Sequence, residues 1–318
     1  MRHIDVFNGD ADGLCALRQL RLAEPAAALL VTGVKRDIGL LARVRAGAGD
    51  LVTVLDVSLD RNRADLLRLL ESGARVRYYD HHYAGEVPAH PGLEARLDAS
   101  GGLCTAMIVD RLLGGRFRPW AVAAAFGDGL DQAALDLGAR VPLGPHALEQ
   151  LRELGRSLNY NAYGESEADL HVPPAELYRV LAGYDDPLRF AIEEPLYARL
   201  DAGRRADLAA ASDVEPYWTG LAGAIYVLPD ADWSRRVSGT LAHQLAGQRA
   251  HGAIAVLTPR RDGAWMASLR VAAGARGAAD EFCRGFPGGG GRREAAGIDR
   301  LPPAELDAFV SRFAAAFR

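Results

Sequence analysis

Acidic residues and histidines recur in this sequence at the points where predicted strands end. Residues 4–7, 51–57 and 75–79 are three such predicted strands. The side chains that end or follow them are Asp10, Asp12, Asp56, Asp80, His81 and His82. Because the carboxyl ends of parallel strands meet at one edge of a sheet, we expect these groups to lie together. Carboxylates gathered there would repel one another, and a bound cation would relieve the repulsion.

The mixture of oxygen and nitrogen ligands indicates which metal would bind. Carboxylates combined with imidazoles favour Mn²⁺ or Mg²⁺ over the zinc of thiolate sites. Two such ions could hold both the attacking and the leaving oxygen of a phosphoryl displacement. Each segment alone has a second interpretation, since Asp10, Asp12 or Asp56 could cap a helix or form a turn. Their order, each at a strand end, favours the metal site.

The elements that must position these residues can be predicted from hydrophobic periodicity. Residues 28–34 form a further predicted strand, and residues 14–22, 38–45 and 61–70 have helical spacing. This alternation predicts an α/β fold, with an N-terminal parallel sheet that carries helices on both faces. Helical patterns dominate from residue 103 to about residue 181. We therefore assign residues 1–185 to a metal-binding catalytic domain.

The remainder of the chain is predicted to form a second domain. Residues 186–212 are charged and alanine-rich, and we interpret them as a helical connector. Strand patterns return at residues 223–228, 253–257 and 265–270, and helical patterns at residues 238–248 and 303–317. A glycine-rich loop is predicted at residues 288–291. Residues 213–318 are thus expected to be a smaller α/β domain that binds substrate.

Composition limits the classes of protein that this chain can belong to. Its 318 residues suggest two domains, and a net charge of −4 gives no global basic field of the kind that attracts nucleic acid. The three cysteines are far apart, which predicts free thiols and a cytoplasmic location. We find no signal peptide and no apolar run long enough for a membrane span, so no membrane partner is expected.

The ordered motifs resemble those of the DHH phosphoesterase superfamily, which includes RecJ-type exonucleases, small oligoribonucleases and family II pyrophosphatases. The matching segments are Asn8-Gly9-Asp10-Ala11-Asp12-Gly13, Val54-Leu55-Asp56, Asp80-His81-His82 and Phe126-Gly127-Asp128-Gly129-Leu130. In the C-terminal part, residues 289–297 (GGGRREAAG) are similar to the GGGHxxAAG loop of the DHHA1 domain. Together these segments span most of the chain.

The resemblance implies a site with two Mn²⁺ ions, with Mg²⁺ as the alternative. Asp10 would bind one ion and Asp12 the other, Asp56 would bridge them, and His81 and Asp128 would complete the second. Asp80 would orient a histidine without binding the metal itself, and His82 would face the substrate phosphate. Asp131 competes with Asp128 for the fourth motif, and we prefer Asp128 because its neighbours are closer to the family pattern.

Two departures from the family pattern affect these assignments. Asn8 stands where many relatives have a histidine, and its amide oxygen is a weaker ligand. Arg292, followed by Arg293, replaces the histidine of the glycine-rich loop. We assign both arginines, Gly289, Gly290 and Gly291 to phosphate binding, because paired guanidiniums and close backbone N–H groups suit an anion. Arg270, at a strand end, is a further phosphate contact, with a solvated strand-end arginine as the equal alternative.

The function that these features predict is metal-dependent hydrolysis of a phosphoester bond in a nucleotide, a short oligonucleotide or another phosphorylated small molecule. One alternative is hydrolysis of a phosphoanhydride, as in a pyrophosphatase or polyphosphatase. The other is a nucleotide-binding protein that has lost catalysis, which Asn8 and Arg292 favour and the near-complete ligand set opposes. The sequence does not set the oligomeric state, and a homodimer stays open.

Overall fold

The protein is described here from a computed structural model, which covers residues 1–272, 274–275 and 277–317. The chain divides into two compact units, Met1–Gly203 and Arg204–Arg318. Each unit has its own sheet, so the predicted α/β class with a second, smaller α/β unit is confirmed.

The first unit is built on a five-stranded parallel sheet. Its strands are β1 (His3–Phe7), β2 (Ala28–Val31), β3 (Leu51–Leu55), β4 (Arg75–Asp80) and β5 (Leu93–Leu97). They lie in the order β2-β1-β3-β4-β5, and each adjacent pair is parallel. The edge strand β5 was not predicted, because its sequence LEARL alternates half-buried and exposed residues and carries two charges. The strands β1 and β3 are almost fully buried, as expected for a sheet covered on both faces.

Helices cover both faces of this sheet, as predicted. On one face α1 (Ala11–Ala23) packs against β1 and β3 and α3 (Thr105–Leu112) against β4, and α4 (Arg118–Gly127) packs on α1 and α3 in the same core as Phe7 and Leu55. On the other face α2 (Leu59–Glu71) and a short 3₁₀ turn (Leu40–Arg43) pack against Val6, Val52 and Val54.

The prediction of a helix at residues 38–45 is wrong, since only this one turn forms after Gly39. Glycines at positions 39, 47 and 49 disfavour a longer helix there.

The helical part of the first unit continues with short elements. They are α5 (Asp131–Gly138), α6 (Pro145–Tyr160), a 3₁₀ turn (Glu167–Asp169), α7 (Pro174–Leu181) and α8 (Pro187–Glu193), followed by α9 (Pro195–Ser212). Helix α4 is the centre of this part, because its Trp120 is fully buried and donates from Nε1 to the carbonyl of Asp185 at 2.9 Å. Among the described residues, none of the helices is both long and apolar enough to cross a bilayer.

The second unit contains a six-stranded mixed sheet. Its strands are β6 (Trp218–Gly220), β7 (Gly223–Val227), β8 (Ala253–Pro259), β9 (Trp265–Val271), β10 (Gly289–Gly291) and β11 (Ala295–Leu301). Their order is β10-β11-β9-β8-β7-β6, and β7 with β8 is the parallel pair. The helices are α10 (Asp232–Gly247), α11 (Ala279–Arg284) and α12 (Leu306–Ala316), with a 3₁₀ turn at Pro303–Glu305. Phenylalanines of α11 and α12 form the core beneath the sheet.

The glycine run of the second unit is a strand and not the loop that the sequence suggested. Gly289, Gly290 and Gly291 pair antiparallel with β11. A Cβ on Gly289 would lie 1.8 Å from the carbonyl oxygen of Cys283, and one on Gly291 would lie 2.4 Å from the Cα of Ala296. Gly289 and Gly291 are therefore required for close backbone packing at the sheet edge. The backbone amides of Gly290 and Gly291 belong to this edge strand.

Candidate metal site

The predicted ligands meet at the carboxyl edge of the parallel sheet. Asp56 follows β3 directly and is the one described residue other than glycine with a positive φ, +56°. An aspartate tolerates this left-handed conformation better than most residues, and such backbone strain is concentrated at functional sites. The side chain is 2% exposed, and its Oδ1 has no hydrogen-bond partner among the described residues. A buried carboxylate oxygen without a donor is the atom that a cation would satisfy.

Asp10 and Asp12 belong to the turn that begins α1, and each also serves the local structure. Asp10 Oδ1 caps the helix by accepting the backbone N–H groups of Asp12 and Gly13 at 3.0 and 3.1 Å. A Cβ at Gly13 would lie 2.1 Å from the Asn8 carbonyl oxygen, so only glycine allows this close turn. The capping interpretation of Asp10 is therefore correct for one of its oxygens, and the other remains directed at the site.

Asp12 is tied to a helix that is distant in sequence. Its two oxygens accept the backbone N–H groups of Thr105 and Ala106, in the first turn of α3, at 2.7 Å each. Unpaired N–H groups at a helix start favour a negative charge. Asp12 thus joins α1 to α3 while its carboxylate stays beside the other acidic residues.

His81 is the point at which the carboxylates converge. Its Nε2 lies 3.4 Å from Asp56 Oδ1, 3.8 Å from Asp12 Oδ2 and 3.9 Å from Asp128 Oδ2. Ligand atoms bound at about 2.1 Å to one octahedral ion lie about 3 Å from their neighbours. Each carboxylate is therefore close enough to Nε2 to share a divalent ion with it.

The second histidine, His82, lies at the mouth of the same cluster. Its Nδ1 is 2.7 Å from Asp80 Oδ1 and 3.8 Å from Asp56 Oδ1, and its side chain is 37% exposed. Asp56, His81 and His82 can bring one ligand atom each to within 4.8 Å of one another. The buried Asp80 thus orients His82 by a hydrogen bond.

Asp128 and its competitor Asp131 are separated by the structure. Asp128 ends α4, and its Oδ2 is a buried oxygen that approaches His81 and has no hydrogen-bond donor among the described residues. Asp131 instead begins α5 and forms ion pairs with Arg152 at 3.4 Å and Arg156 at 3.7 Å. The structure thus brings Asp128 to the cluster and keeps Asp131 on the surface.

A residue that sequence analysis overlooked, Lys35, lies in this cluster. It follows β2 in the chain, and its Nζ forms an ion pair with Asp10 Oδ2. Nζ also donates to Asn159 Oδ1 at 3.0 Å and lies 3.7 Å from Asp128 Oδ1. Lysine and arginine total 37 residues, and Lys35 is the only lysine in the chain. That count, together with its position after a strand, was the signal that could have identified it.

Asn8 lies in the turn between β1 and α1 that also contains Asp10. It is half-buried, and its Oδ1 is a buried atom with no hydrogen-bond donor among the described residues. An amide oxygen without a donor has the character of a weak oxygen ligand, which agrees with the position that the motif comparison assigns to it.

The charges at the site shift the ionisation of several groups. Burial raises the pKa of Asp56 well above its ordinary value, and the charges of Asp10, Asp12 and Asp128 act in the same direction. Burial also raises the pKa of Asp12. For Asp10, burial is outweighed by the Lys35 ammonium, so the pKa of Asp10 is lowered. For Lys35, burial opposes the charge, but Asp10 and the other carboxylates raise its pKa well above the ordinary value.

These observations show that the donor set fits a hard divalent cation. Buried oxygens of Asp56, Asp80 and Asp128 have no hydrogen-bond donor among the described residues, and an imidazole lies between the carboxylates. Carboxylate oxygens with one or two imidazole nitrogens match Mn²⁺ and Mg²⁺. The three cysteines are free and buried, and burial raises the pKa of Cys15 and of Cys104, so neither thiol supplies a thiolate at neutral pH.

The predicted substrate-binding arginines lie in the second unit. Arg292 and Arg293 form the exposed turn between β10 and β11, and no ion pair involves either side chain among the described residues. The Arg292 N–H donates to the Ala295 carbonyl at 2.8 Å, and the Arg293 carbonyl accepts from Ala279, which holds this turn in place. Arg270, on β9, is half-buried and donates from Nη1 to the Leu269 carbonyl at 2.9 Å.

Several solved structures share this fold. A manganese-bound RecJ exonuclease superposes with a TM-score of 0.63 and 19% identity over 99% of this chain and 89% of that one. A Mn²⁺ complex of RecJ from Thermus thermophilus gives a TM-score of 0.62 and 20% identity over 99% of this chain, which spans about half (51%) of that protein. The pGpG-specific phosphodiesterase PggH from Vibrio cholerae gives a TM-score of 0.55 and 13% identity over 99% of this chain and 100% of that one.

No protein-family model and no curated protein sequence matches the chain. The fold and the site nevertheless define a class: an α/β protein whose parallel sheet carries carboxylates and histidines at its carboxyl edge. The chain has the fold of the manganese-bound RecJ exonuclease and of PggH, in agreement with the DHH resemblance of its motifs.

Proposed function

We propose that this protein is a divalent-metal-dependent phosphoesterase that hydrolyses a nucleotide or a short oligonucleotide. The observation that carries the proposal is the geometry of Asp56. Its backbone is held at φ +56°, and its buried Oδ1, which lacks a donor among the described residues, faces His81 Nε2 at 3.4 Å. A strained and buried carboxylate beside an imidazole is costly unless a cation binds there.

The ligands proposed for the cation are Asp12, Asp56, His81 and Asp128. One oxygen of each of the three carboxylates lies within 4 Å of His81 Nε2. When bound, Mn²⁺ or Mg²⁺ would supply Lewis-acid activation of water and of a phosphoryl oxygen. The helix contacts of Asp12 and the tight turn of Asp56 hold these ligands rigidly, so little reorganisation would be needed on binding.

His82 and Asp80 are proposed to act on the substrate. The hydrogen bond between Nδ1 and Asp80 fixes the ring, and the partly exposed imidazole is proposed to bind a phosphate oxygen or to transfer a proton. Asp80 is fully buried and touches no solvent, which suits a positioning role. Arg292, Arg293 and Arg270 of the second unit are proposed to bind the phosphates of the substrate through charged hydrogen bonds.

The substrate class is inferred from two sources. RecJ is named as an exonuclease and PggH as a phosphodiesterase specific for pGpG, so the fold is used on nucleic acid and on a dinucleotide. The net charge of −4 gives no extended basic field for a long polymer. A short substrate with a few phosphates suits the small number of exposed arginines in the turn between β10 and β11.

A hydrolysis panel with added Mn²⁺ tests this proposal. It should contain short oligonucleotides, dinucleotides such as pGpG, mononucleotides and pyrophosphate, each assayed with the wild-type protein and with Asp56→Asn. We expect release of mononucleotide from a phosphodiester, and no release by Asp56→Asn. Preference for pyrophosphate would assign the protein to phosphoanhydride hydrolysis. Nucleotide binding without any turnover would show a protein that has lost catalysis.

A further inference from the structure

We propose that the Lys35 ammonium occupies the position of one of the two expected metal ions, so that this site holds a single divalent cation. The inference rests on the proposed metal-dependent function and concerns how many ions that function uses. The motif resemblance, by contrast, implies two metal ions. The structure supports it through the contacts of Lys35, the ligands left for an ion, and the lysine content of the chain.

Lys35 is held at the cluster by several contacts. Its backbone N–H donates to the Ala162 carbonyl at 2.9 Å, and its Nζ donates to Asn159 Oδ1 at 3.0 Å. The same Nζ forms the ion pair with Asp10 and lies 3.7 Å from Asp128 Oδ1. The side chain is 25% exposed, so the ammonium is largely enclosed by oxygen atoms. A cation fixed among three oxygens has the surroundings that a bound metal ion would have.

Asp10 is thereby already neutralised. One of its oxygens caps α1, and the other contacts the Lys35 ammonium. An ion bound to Asp10 would have to lie beside this fixed positive charge, and like charges at such short range repel strongly in a buried site. Asn8, the remaining candidate ligand on that side, offers a neutral amide oxygen. The ligands on the Asp10 side therefore suit an ammonium better than a second divalent ion.

The other side of the cluster has a different composition. Asp12, Asp56 and Asp128 surround His81 Nε2 at 3.4 to 3.9 Å. Asp128 uses its Oδ1 towards Lys35 and its Oδ2 towards His81, so it lies between the two positions. One ion beside His81 and one ammonium beside Asp10 would together provide the two cationic centres of the site.

The amino-acid composition agrees with a specific need for lysine at this position. Every other strongly basic side chain in the protein is an arginine. An ammonium is a compact point charge with three donors, whereas guanidinium is a wide planar fork. The three oxygens of Asp10, Asn159 and Asp128 surround one nitrogen atom, which only lysine can place there.

Counting bound Mn²⁺ in four matched proteins tests the inference: wild type, Lys35→Ala, Asn8→His and the double variant Asn8→His/Lys35→Ala. Metal content is measured by elemental analysis after equilibrium dialysis, and low-temperature electron paramagnetic resonance separates isolated Mn²⁺ from a spin-coupled pair. We expect one ion and an uncoupled signal in the wild type and in Asn8→His. We expect two ions and a coupled signal in the double variant, and a second, weaker ion in Lys35→Ala.

The outcomes separate this inference from the proposed function. Two coupled ions in the wild type or in Asn8→His would overturn the role of Lys35 and leave metal-dependent hydrolysis intact. A double variant that still holds one ion would also overturn it, because Lys35 would then not be what excludes the second. No bound Mn²⁺ in any of the four proteins would overturn the proposed function itself. Circular dichroism checks that each variant is folded, and the wild-type spectrum remains decisive if a variant is not.

Discussion

Asp56 Oδ1 lies 3.4 Å from Nε2 of His81, although the two residues end different strands and stand 25 positions apart in the sequence. The strands β3 and β4 are adjacent and parallel, with Leu55 paired to Tyr79, so their carboxyl ends bring the two side chains together. The positive φ of Asp56 turns the chain sharply after the strand. This pair is the centre of the candidate metal site.

Replacing Asp56 by asparagine should abolish activity and stabilise the metal-free protein. Activity should fall by more than about 100-fold, beyond the range typical of residues that only support a ligand. The melting temperature without metal should rise by a few degrees, because about 1 kcal/mol shifts a protein of this size by about 2–4 °C. Burial and neighbouring charges make the carboxylate unfavourable, and the amide removes that charge while keeping the left-handed turn.

Asp56→Ala is the matched control, since alanine also removes the charge but disfavours a positive φ. It should be less stable than Asp56→Asn by about 1 kcal/mol and equally inactive. Activity close to wild type at saturating Mn²⁺ in either variant would exclude Asp56 as a ligand.

Asp12→Asn should have the opposite effect on stability. Both Asp12 oxygens accept backbone N–H groups at the start of α3, and the asparagine amide would set a donor against one of them. Loss of a hydrogen bond to a charged group costs about 1.5–3 kcal/mol, so the metal-free variant should unfold at lower denaturant concentration. Urea unfolding of both variants beside the wild type measures this. A stability gain in Asp12→Asn would contradict the contact with α3.

Stability of the metal-free protein should depend on pH through Asp56. Its pKa in the folded state is raised above the unfolded value of about 3.9, so the folded state binds more protons between these two pKa values. The contribution of Asp56 is therefore fully present below the unfolded pKa and is lost as pH rises through the folded pKa. The free energy of unfolding of the wild type minus that of Asp56→Asn should decrease as pH increases from about 4 to about 7.

Measuring the difference between the two proteins cancels the titration of surface groups such as Asp50, whose pKa is lowered by Arg2. Saturating Mn²⁺ should reverse the trend in the wild type, because protons compete with the metal for the same carboxylates. A difference that does not change with pH would show that Asp56 titrates normally.

Replacing Asp80 by asparagine should lower activity by about 10- to 100-fold, the usual effect of a partner that orients a ligand or catalytic histidine. Asp80 holds Nδ1 of His82 at 2.7 Å, and an asparagine can still accept that hydrogen bond but carries no charge. The pH at which kcat falls on the acidic side should shift downward, because an imidazolium beside a neutral amide is less stable. An unchanged pH profile would limit Asp80 to a structural role.

Arg292→Ala and Arg293→Ala should each raise KM by about tenfold or more, because a charged hydrogen bond contributes about 1.5–3 kcal/mol. Mn²⁺ affinity should not change, since the proposed ligands belong to the other unit. Arg249→Ala is the control, because Arg249 is exposed in the same unit and lies outside the turn between β10 and β11. If both arginine variants keep the wild-type KM on the best substrate, the turn does not bind phosphate.

The sequence by itself determined the sheet and the edge at which its acidic residues gather. The segments of five or six residues that form β1, β3 and β4 were recognised as strands, and parallel strands direct their carboxyl ends to one side. The order of Asp10, Asp12, Asp56, Asp80, His81 and Asp128 along the chain was therefore enough to predict a common site. The order of the strands and the edge strand β5 could not be read, because LEARL has no clear apolar pattern.

Only the tertiary structure decided which atoms meet at that edge. Asp12 contacts the start of α3 across 94 positions, and Lys35 contacts Asn159 across 124. No local pattern encodes contacts over such separations, because they depend on how whole helices pack. The glycine run illustrates the same limit: its composition is that of a flexible loop, but β11 and the Cys283 carbonyl approach it so closely that it forms a strand.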